Sequence, residues 1–566
     1  MKNQRLHLFL TMIAMIALLG VSCSKKNMPP LANSLFTTNP SPLELVGTKV
    51  PVTINGRFPA KWFERTTTIV VTPVLKYRGG EALGTPYTYQ GEKVAGNGIV
   101  VPYEQGRTIT LQSTFNYIPE MKKSELFLRF DFFRDGKQVV GFSDVKIADG
   151  VIATAALASA ETSTPAVAPD AFQRIIKETY DADIMFLIQR AELRSSELNS
   201  TNMNAWKELV KEADLNPRKY VDVEVSAYAS PDGGYKLNEK LAEQREKNTT
   251  EYLSKDFKSR NIDTEINARY TAQDWDGFQK LVQASSLQDK DLVLRVLSMY
   301  PDPETREREI KNISVVYSEL AETILPQLRR SRLMANVEVV GKTDEELVNI
   351  AKGTDYEELT VEELLYAANL NGVDKEKIYR YVTNRFPNDY RGWNNLGAYY
   401  FEHGQTSTAI QAFNRAASIS SRAPEANMNL ALTSLADGNT EKAEQLLGNA
   451  AGSSSLDETL GLLYLKKGDY NRAAQSFGNT VSNNAALANI LTKNYNKAQQ
   501  TLDAIPNKNA TTYYLAAIVA ARTNNTSGVA GNLKSAIDKG ASVSDIANDI
   551  EFTKYLTNSD IRNMLF

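Results

Sequence analysis

Cys23 is the only cysteine in this chain of 566 residues, so no internal disulfide, thiolate metal cluster or redox pair can hold the fold together. Each domain must be stabilised by a packed apolar core. At 42% apolar residues the composition supplies enough, and a chain of this length divides into about three or four domains. The position of the cysteine matters as much as its isolation. Lys2 and Arg5 lead into an apolar run from Leu8 to Val21, and Ser22-Cys23 follows. This is the layout of a secretory signal peptide over residues 1–22, which is set aside from the fold. The apolar run is shorter than the ~20 residues that span a bilayer, and no later stretch is long and apolar enough to replace it.

The segment Leu19-Gly20-Val21-Ser22-Cys23 resembles a bacterial lipobox, in which a small residue precedes the cysteine that receives the lipid. It departs at Gly20, where the usual leucine stands one step further back as Leu19. The resemblance implies lipidation of Cys23 and anchoring in an outer membrane. Ser24-Lys25-Lys26 follows the cysteine in place of the acidic residues typical of related surface lipoproteins, which implies retention on the periplasmic face. Residues 23–43, rich in Asn, Pro, Ser and Lys, read as a tether.

The chain has two histidines, and His7 leaves with the signal peptide. His403, in a predicted helix–helix turn, reads as a solvated structural residue. A Ser-His-Asp triad or a His-rich zinc site cannot be assembled from this inventory, and no acidic cluster points to carboxylate chemistry. The chain reads as non-enzymatic, with no cofactor and no metal. A formal charge of −3 gives no concentrated basic surface, so nucleic acid is not an expected partner.

From 44 to 150, short alternating runs such as Thr108-Ile109-Thr110-Leu111 and Leu126-Leu128-Phe130-Phe132 predict half-buried strands. Turn signals fall between them at Arg78-Gly79-Gly80, Gln105-Gly106 and Asp135-Gly136-Lys137, the spacing of an all-β, immunoglobulin-like sandwich. Residues 151–169, Ala, Ser, Thr and Pro with almost no charge, read as a linker. Residues 170–341 alternate apolar strands with helical patterns, an α/β arrangement.

Within that stretch, Val223-Glu-Val-Ser-Ala-Tyr-Ala-Ser-Pro-Asp-Gly-Gly leads into a helix bearing Asn238, Leu241 and Arg245. The pattern resembles the OmpA-like domain, whose peptidoglycan motif reads Gly-x-Thr-Asp, Gly, then Asn-x-x-Leu-Ser-x-x-Arg-Ala. Asn238, Leu241 and Arg245 match its Asn, Leu and Arg, and Gly233 its glycine. Spacings of three and four put the helical trio on one face. The resemblance implies that the turn and this face hold the diaminopimelate of the wall stem peptide, with Arg245 gripping a carboxylate. The motif's ammonium-binding Asp aligns with Ser230, its Ser with Ala242 and its Ala with Glu246. Loss of that Asp weakens wall binding by about ten- to a hundredfold unless Asp232 replaces it. Alternatively, Asp232-Gly233-Gly234 simply shapes the turn and caps the helix. The segment from Ala272 to Lys311 reads as an insertion. The Arg329-Arg330-Ser-Arg332 cluster reads either as an anion site or as a solvated approach to the last strand. The Ala-Ser-Pro-Asp form of the turn is similar to that of OmpA-related lipoproteins of Bacteroidetes.

Thr343-Asp-Glu-Glu346 and Thr360-Val-Glu-Glu363 predict capped connecting helices over 342–386. Over 387–566 a helical repeat appears. Trp393, Leu396, Gly397, Tyr400, Ala409, Phe413 and Ala416 recur 34 residues on as Asn427, Leu430, Ala431, Ser434, Ala443, Leu447 and Ala450. Leu460, Gly461, Tyr464, Ala473 and Phe477 form a third copy, with further copies around Tyr495-Ala498 and from Tyr514 to Ala536. These offsets resemble the tetratricopeptide repeat, an all-α solenoid whose units bury their faces against one another. That resemblance implies a concave surface for an extended peptide or a helix of a partner protein. Asn394, Asn395, Asn427 and Asn429 either line it or are plain solvated positions.

Two functional expectations follow. The first is a non-enzymatic, outer-membrane lipoprotein scaffold with a wall-facing OmpA-like domain and partner-binding repeats. The second is a surface-exposed adhesin or assembly subunit whose OmpA-like domain no longer binds peptidoglycan.

Overall fold

The structure, a computed structural model, describes residues 28–353 and 356–566. The expected signal peptide, Cys23 and the first part of the tether therefore lie outside the described residues. The chain forms two compact units, one comprising the residues up to Pro169 together with Lys375–Phe566, the other Asp170–Asp374.

The first unit begins with two sheets. One is three-stranded, in the order β1 (Phe36–Asn39), β2 (Lys49–Phe58), β7 (Arg107–Asn116). The other runs β10 (Val145–Gly150), β8 (Ser124–Arg134), β3 (Thr67–Tyr77), β5 (Tyr87–Gly91), β6 (Ile99–Val101), with β4 (Gly80–Leu83) on β3 and β9 (Lys137–Val139) on β8. Alternation gives each sheet one apolar face. Val50, Val52 and Ile54 of β2 and Ile109 and Leu111 of β7 share a core with Ile69, Val71, Leu126 and Leu128 of the other sheet. The β-rich character expected over 44–150 is present, but it starts earlier. From Leu31 onward the expected tether is part of this domain: Leu31, Phe36 and Leu43 are buried in the same core, and β1 pairs with β2 from Phe36 opposite Gly56 to Asn39 opposite Thr53. Gly56 makes room for Phe36, whose ring would lie 2.4 Å from a Cβ at that position.

The stretch 151–169 is likewise not a solvated linker. Val151, Ala153 and Ala155 join the sheet core, and Ala158, Ala160, Ser163, Ala166 and Ala168 are buried among the helices that close the unit. Those helices pair in sequence: Lys375–Arg385, Tyr390–Glu402 with Thr406–Ile419, Pro424–Ala436 with Thr440–Leu447, Leu456–Lys467 with Tyr470–Phe477, Asn483–Leu491 with Tyr495–Ala504, and Ala510–Arg522 with Thr526–Asp538. Small residues set their approach. A Cβ at Gly397 would lie 2.6 Å from the Phe413 ring, and one at Gly461 would lie 2.7 Å from Phe477.

The last residues turn back onto the sheets. Lys122 Nζ lies 3.0 Å from Asp549, and Thr154 Oγ1 donates to Glu551 at 2.6 Å. Arg522 pairs with the same glutamate and donates to Thr154 Oγ1. Tyr470 Oη donates to Leu45 O and accepts from Gly47 N at 3.1 Å.

The second unit is built on a four-stranded sheet in the order β11 (Ile175–Met185), β14 (Arg330–Val340), β12 (Lys219–Tyr228), β13 (Glu265–Thr271). The pair β12–β13 is parallel and the other pairs are antiparallel. Helices Thr201–Asp214 and Tyr235–Ser259 cover one face, packing Trp206, Val210, Leu253 and Phe257 on Val223, Val225, Leu333 and Ala335. The residues expected as an insertion begin a run of helices between Trp275 and Thr323, which has a core of its own around Phe278, Val293, Ile310 and Leu320. Both capping boxes form, at Thr343 with Glu346 and at Thr360 with Glu363. The expected connecting helices divide between the units, because Lys375–Arg385 belongs with the repeats.

Glu346 is pushed down to a pKa of about 2, first by the Arg218 guanidinium and then by the Thr343 backbone N–H. A carboxylate with a lowered folded pKa stabilises above its unfolded value and loses that contribution as the pH falls through the folded one. Glu346→Gln is therefore expected to lower the melting temperature of the 170–374 unit at neutral pH. The gap should close between about pH 4.5 and pH 2, and it should narrow with added salt because the pair is exposed.

Candidate functional site

The first helices of successive repeats each turn an amide or acid inward. Asn394 and Asn395 stand on Tyr390–Glu402, Asn429 on Pro424–Ala436, Glu458 on Leu456–Lys467 and Asn484 on Asn483–Leu491. A carboxamide carries a donor and an acceptor side by side, matching the N–H and C=O of one extended residue. Asn395 Oδ1 accepts from Ala168 N at 2.7 Å and its Nδ2 donates to Ala168 O at 3.1 Å. Asn429 does the same at Ala166, at 2.8 Å in both directions. Asn484 does so at Ser159, at 3.1 and 2.7 Å. Asn394 adds a donor to Ala166 O at 2.9 Å and accepts from Asn429 Nδ2 at 3.0 Å. Between these clamps the backbone N–H of Thr164 reaches Glu458, whose carboxyl burial pushes above the usual range. The strand runs from the later repeats toward the earlier ones. It turns Ser163, Pro165, Ala166 and Ala168 inward and leaves Glu161, Thr162, Thr164 and Val167 exposed.

The four asparagines singled out from the sequence thus divide. Asn394, Asn395 and Asn429 are 0–2% exposed because the chain's own strand covers them, so they are neither solvated nor open. Asn427 instead donates to Ser421 O and Ala423 O within its own repeat. Asn484, Glu458 and the strand itself were not singled out. The signal for Asn484 was its place on the first helix of a degenerate repeat, the same face that carries Asn395 and Asn429. His403 is exposed at the end of its helix, with Nδ1 2.7 Å from Tyr399 O.

In the second unit the turn after β12 and the start of the Tyr235–Ser259 helix enclose a polar recess that brings together Ser230, Asp232, Asn238 and Arg245. Asn238 Nδ2 pins the turn by donating to Ser230 O at 2.9 Å and to Gly233 O at 2.8 Å. Arg245, 1% exposed, donates to Arg190 O at 2.9 Å, Tyr228 O at 2.7 Å and Leu187 O at 3.4 Å. Its guanidinium carbon lies 4.9 Å from the centre of the Phe186 ring. Burial, helped by the Arg329 charge, pulls its pKa down to about 10, and Asp232 opposes that shift. Asp232 faces Arg329, whose Nη2 lies 2.9 Å from Oδ2 and whose Nε donates to Ser230 Oγ. Ser230 Oγ in turn donates to Asp232. The enclosed void is about 40 Å³, room for about one water molecule.

The arginine cluster is not an open anion site: Arg329 and Arg330 are largely covered and Arg332 is exposed, each beside an acid. Arg329 pairs with Asp232, Arg330 with Asp274 and Arg332 with Asp181.

Residues 376–424 match the tetratricopeptide repeat family. Among solved structures, a tetratricopeptide repeat protein from Parabacteroides merdae ATCC 43184 is similar at 14% identity, with 50% of this chain and 99% of that one covered and a TM-score of 0.26. The APC/C hetero-tetramer Cut9–Hcn1 is similar at 15% identity, with 64% and 81% covered and a TM-score of 0.26. No curated protein matches the chain. The C-terminal helices form a tetratricopeptide repeat region, which suggests a scaffold for protein–protein interaction.

Asn429→Ala would leave the buried N–H of Ala166 without its acceptor, at about 1–3 kcal/mol, while the Ala166 C=O keeps Asn394 Nδ2. Urea unfolding of the full chain should register the loss. Val167→Ser, at the exposed neighbouring position, should change stability by no more than about 0.5 kcal/mol.

Proposed function

We propose that this chain is a non-enzymatic lipoprotein scaffold of the cell envelope, anchored in the outer membrane through a lipid on Cys23 and facing the periplasm. The tetratricopeptide region holds a partner protein, and the 170–341 segment, read as OmpA-like, meets peptidoglycan. The observation that carries the scaffold reading is the asparagine-lined groove of the repeats, a surface that grips an extended backbone. For the wall, support comes from Ser230, Asp232, Asn238 and Arg245 around one recess, with Asp232 beside the position where the family's acid stands.

One observation favours a second reading, a surface-exposed adhesin or assembly subunit whose OmpA-like domain no longer binds peptidoglycan. Arg329 neutralises Asp232, and the Arg245 guanidinium is turned to backbone carbonyls, so neither charged group of the family's site faces a ligand.

A pull-down of the full chain on peptidoglycan sacculi separates the two. Under the first reading the parent is retained, Asp232→Ala is lost, and Arg329→Ala is retained more strongly because the carboxylate is released. If neither the parent nor Arg329→Ala is retained, wall binding is excluded and the second reading takes its place. Incorporation of a labelled fatty acid tests the anchor: the parent should carry the label and Cys23→Ser should not. An unlabelled parent would remove the membrane from the proposal.

A further inference from the structure

The occupied groove shows which ligand chemistry it takes. Carboxamides read the backbone of Ser159, Ala166 and Ala168, and Asn484 Nδ2 also donates to Ser163 Oγ at 3.4 Å. Inward-facing positions carry Ser163, Pro165, Ala166 and Ala168, and at 0% and 2% exposure the last two have no space for a longer side chain. Glu161, the one charged residue from 159 to 168, lies exposed in a turn. The groove contributes neutral amides and an acid, Glu458, whose carboxyl burial pushes above the usual range. A segment held in this way, with a turn at residues 160–163, is gripped by its backbone groups and the smallness of its side chains, not by charge.

The two halves of 151–168 are held differently. Val151, Ala153 and Ala155 belong to the sheet core, and Thr154 is hydrogen-bonded to Glu551 and Arg522. Residues 159–168 bury only small side chains, and apart from the Ser163 hydroxyl, which accepts from Asn484 Nδ2 at 3.4 Å, their hydrogen bonds to the groove are made by backbone N–H and C=O groups. Their advantage over a competing peptide is covalent attachment, which presents them at an effective concentration on the order of millimolar.

Building on the scaffold reading above, we propose that the groove is an exchange site: an extended, uncharged peptide rich in Ala, Ser, Thr and Pro from a partner protein replaces residues 159–168, while 151–155 stay fixed. The cis strand is then both the lid of the groove and the template for its ligand.

The probe is a fluorescent synthetic peptide with the sequence of residues 159–168, followed by anisotropy against the full chain. The parent should not bind it at micromolar concentrations. An opened chain, Ala166→Asp with Ala168→Asp, should bind it about a hundredfold more tightly than the parent, because the tether no longer competes. Adding Asn395→Ala or Asn429→Ala to the opened chain should weaken binding about tenfold or more, whereas Asn427→Ala should leave it unchanged. Circular dichroism and melting establish that each variant folds. If the double aspartate variant does not, Ala166→Val opens the same position more gently and takes its place.

Absence of binding by a folded, opened chain overturns the proposal, as does binding indifferent to Asn395 and Asn429. Dimerisation of the parent that the peptide reverses would assign the groove to a second copy of this chain and overturn the partner assignment. Retention on sacculi and lipid labelling are independent of these outcomes, so failure here is distinguishable from failure of the envelope reading.

Discussion

A backbone buried away from water must find partners for its N–H and C=O groups, and the first unit depends on how residues 159–168 meet that demand. A segment that turns at residues 160–163 and pairs with no strand has no ladder to join. Asn395, Asn429 and Asn484 replace the ladder, each side chain closing a two-bond ring on one residue. The strand is continuous with Val151, Ala153 and Ala155 in the sheet core, and Lys122, Thr154 and Tyr470 meet the sheet–helix boundary from both sides. Sheets, strand and repeats are therefore parts of one packed body, although the chain leaves it for some two hundred residues to build the second unit.

The same rule shapes the second unit. A guanidinium as buried as that of Arg245 is tolerable because three backbone carbonyls and the face of Phe186 surround it. Asp232 is tolerable because Arg329 neutralises it. The turn is held in shape by Asn238. What looks in the sequence like a set of ligand-binding groups is, in this conformation, a network satisfied by its own members. Opening it to a ligand requires Arg329 to let go of Asp232.

The parts legible in the sequence are those whose causes are local. The repeat register could be read because Gly397 and Phe413, like Gly461 and Phe477, meet within a single helix pair. The capping boxes at Thr343 and Thr360 are complete within four residues. Leu31, Phe36 and Leu43 stand five and seven residues apart among polar residues and prolines, too sparse to mark a strand, and the core shared by both sheets buries them. The strand at 159–168 could not be read for the same reason in stronger form. Ala, Ser and Pro have no burial signature of their own, and the residues that bury them lie more than two hundred positions away. For the asparagines, the groove-facing position was legible and the occupant was not. In the recess, Ser230, Asp232, Asn238 and Arg245 followed from motif spacing, whereas Arg329 arrives from another strand's approach, 97 residues beyond Asp232.

Amide hydrogen exchange of the full chain at the backbone N–H groups of Ala166 and Ala168 tests the central claim most directly, since each has its acceptor on an asparagine of the repeats. A strand seated in the groove predicts exchange slowed as strongly as in the Pro424–Ala436 helix that holds it. Exchange of both amides at the rate of an unstructured peptide would contradict the account.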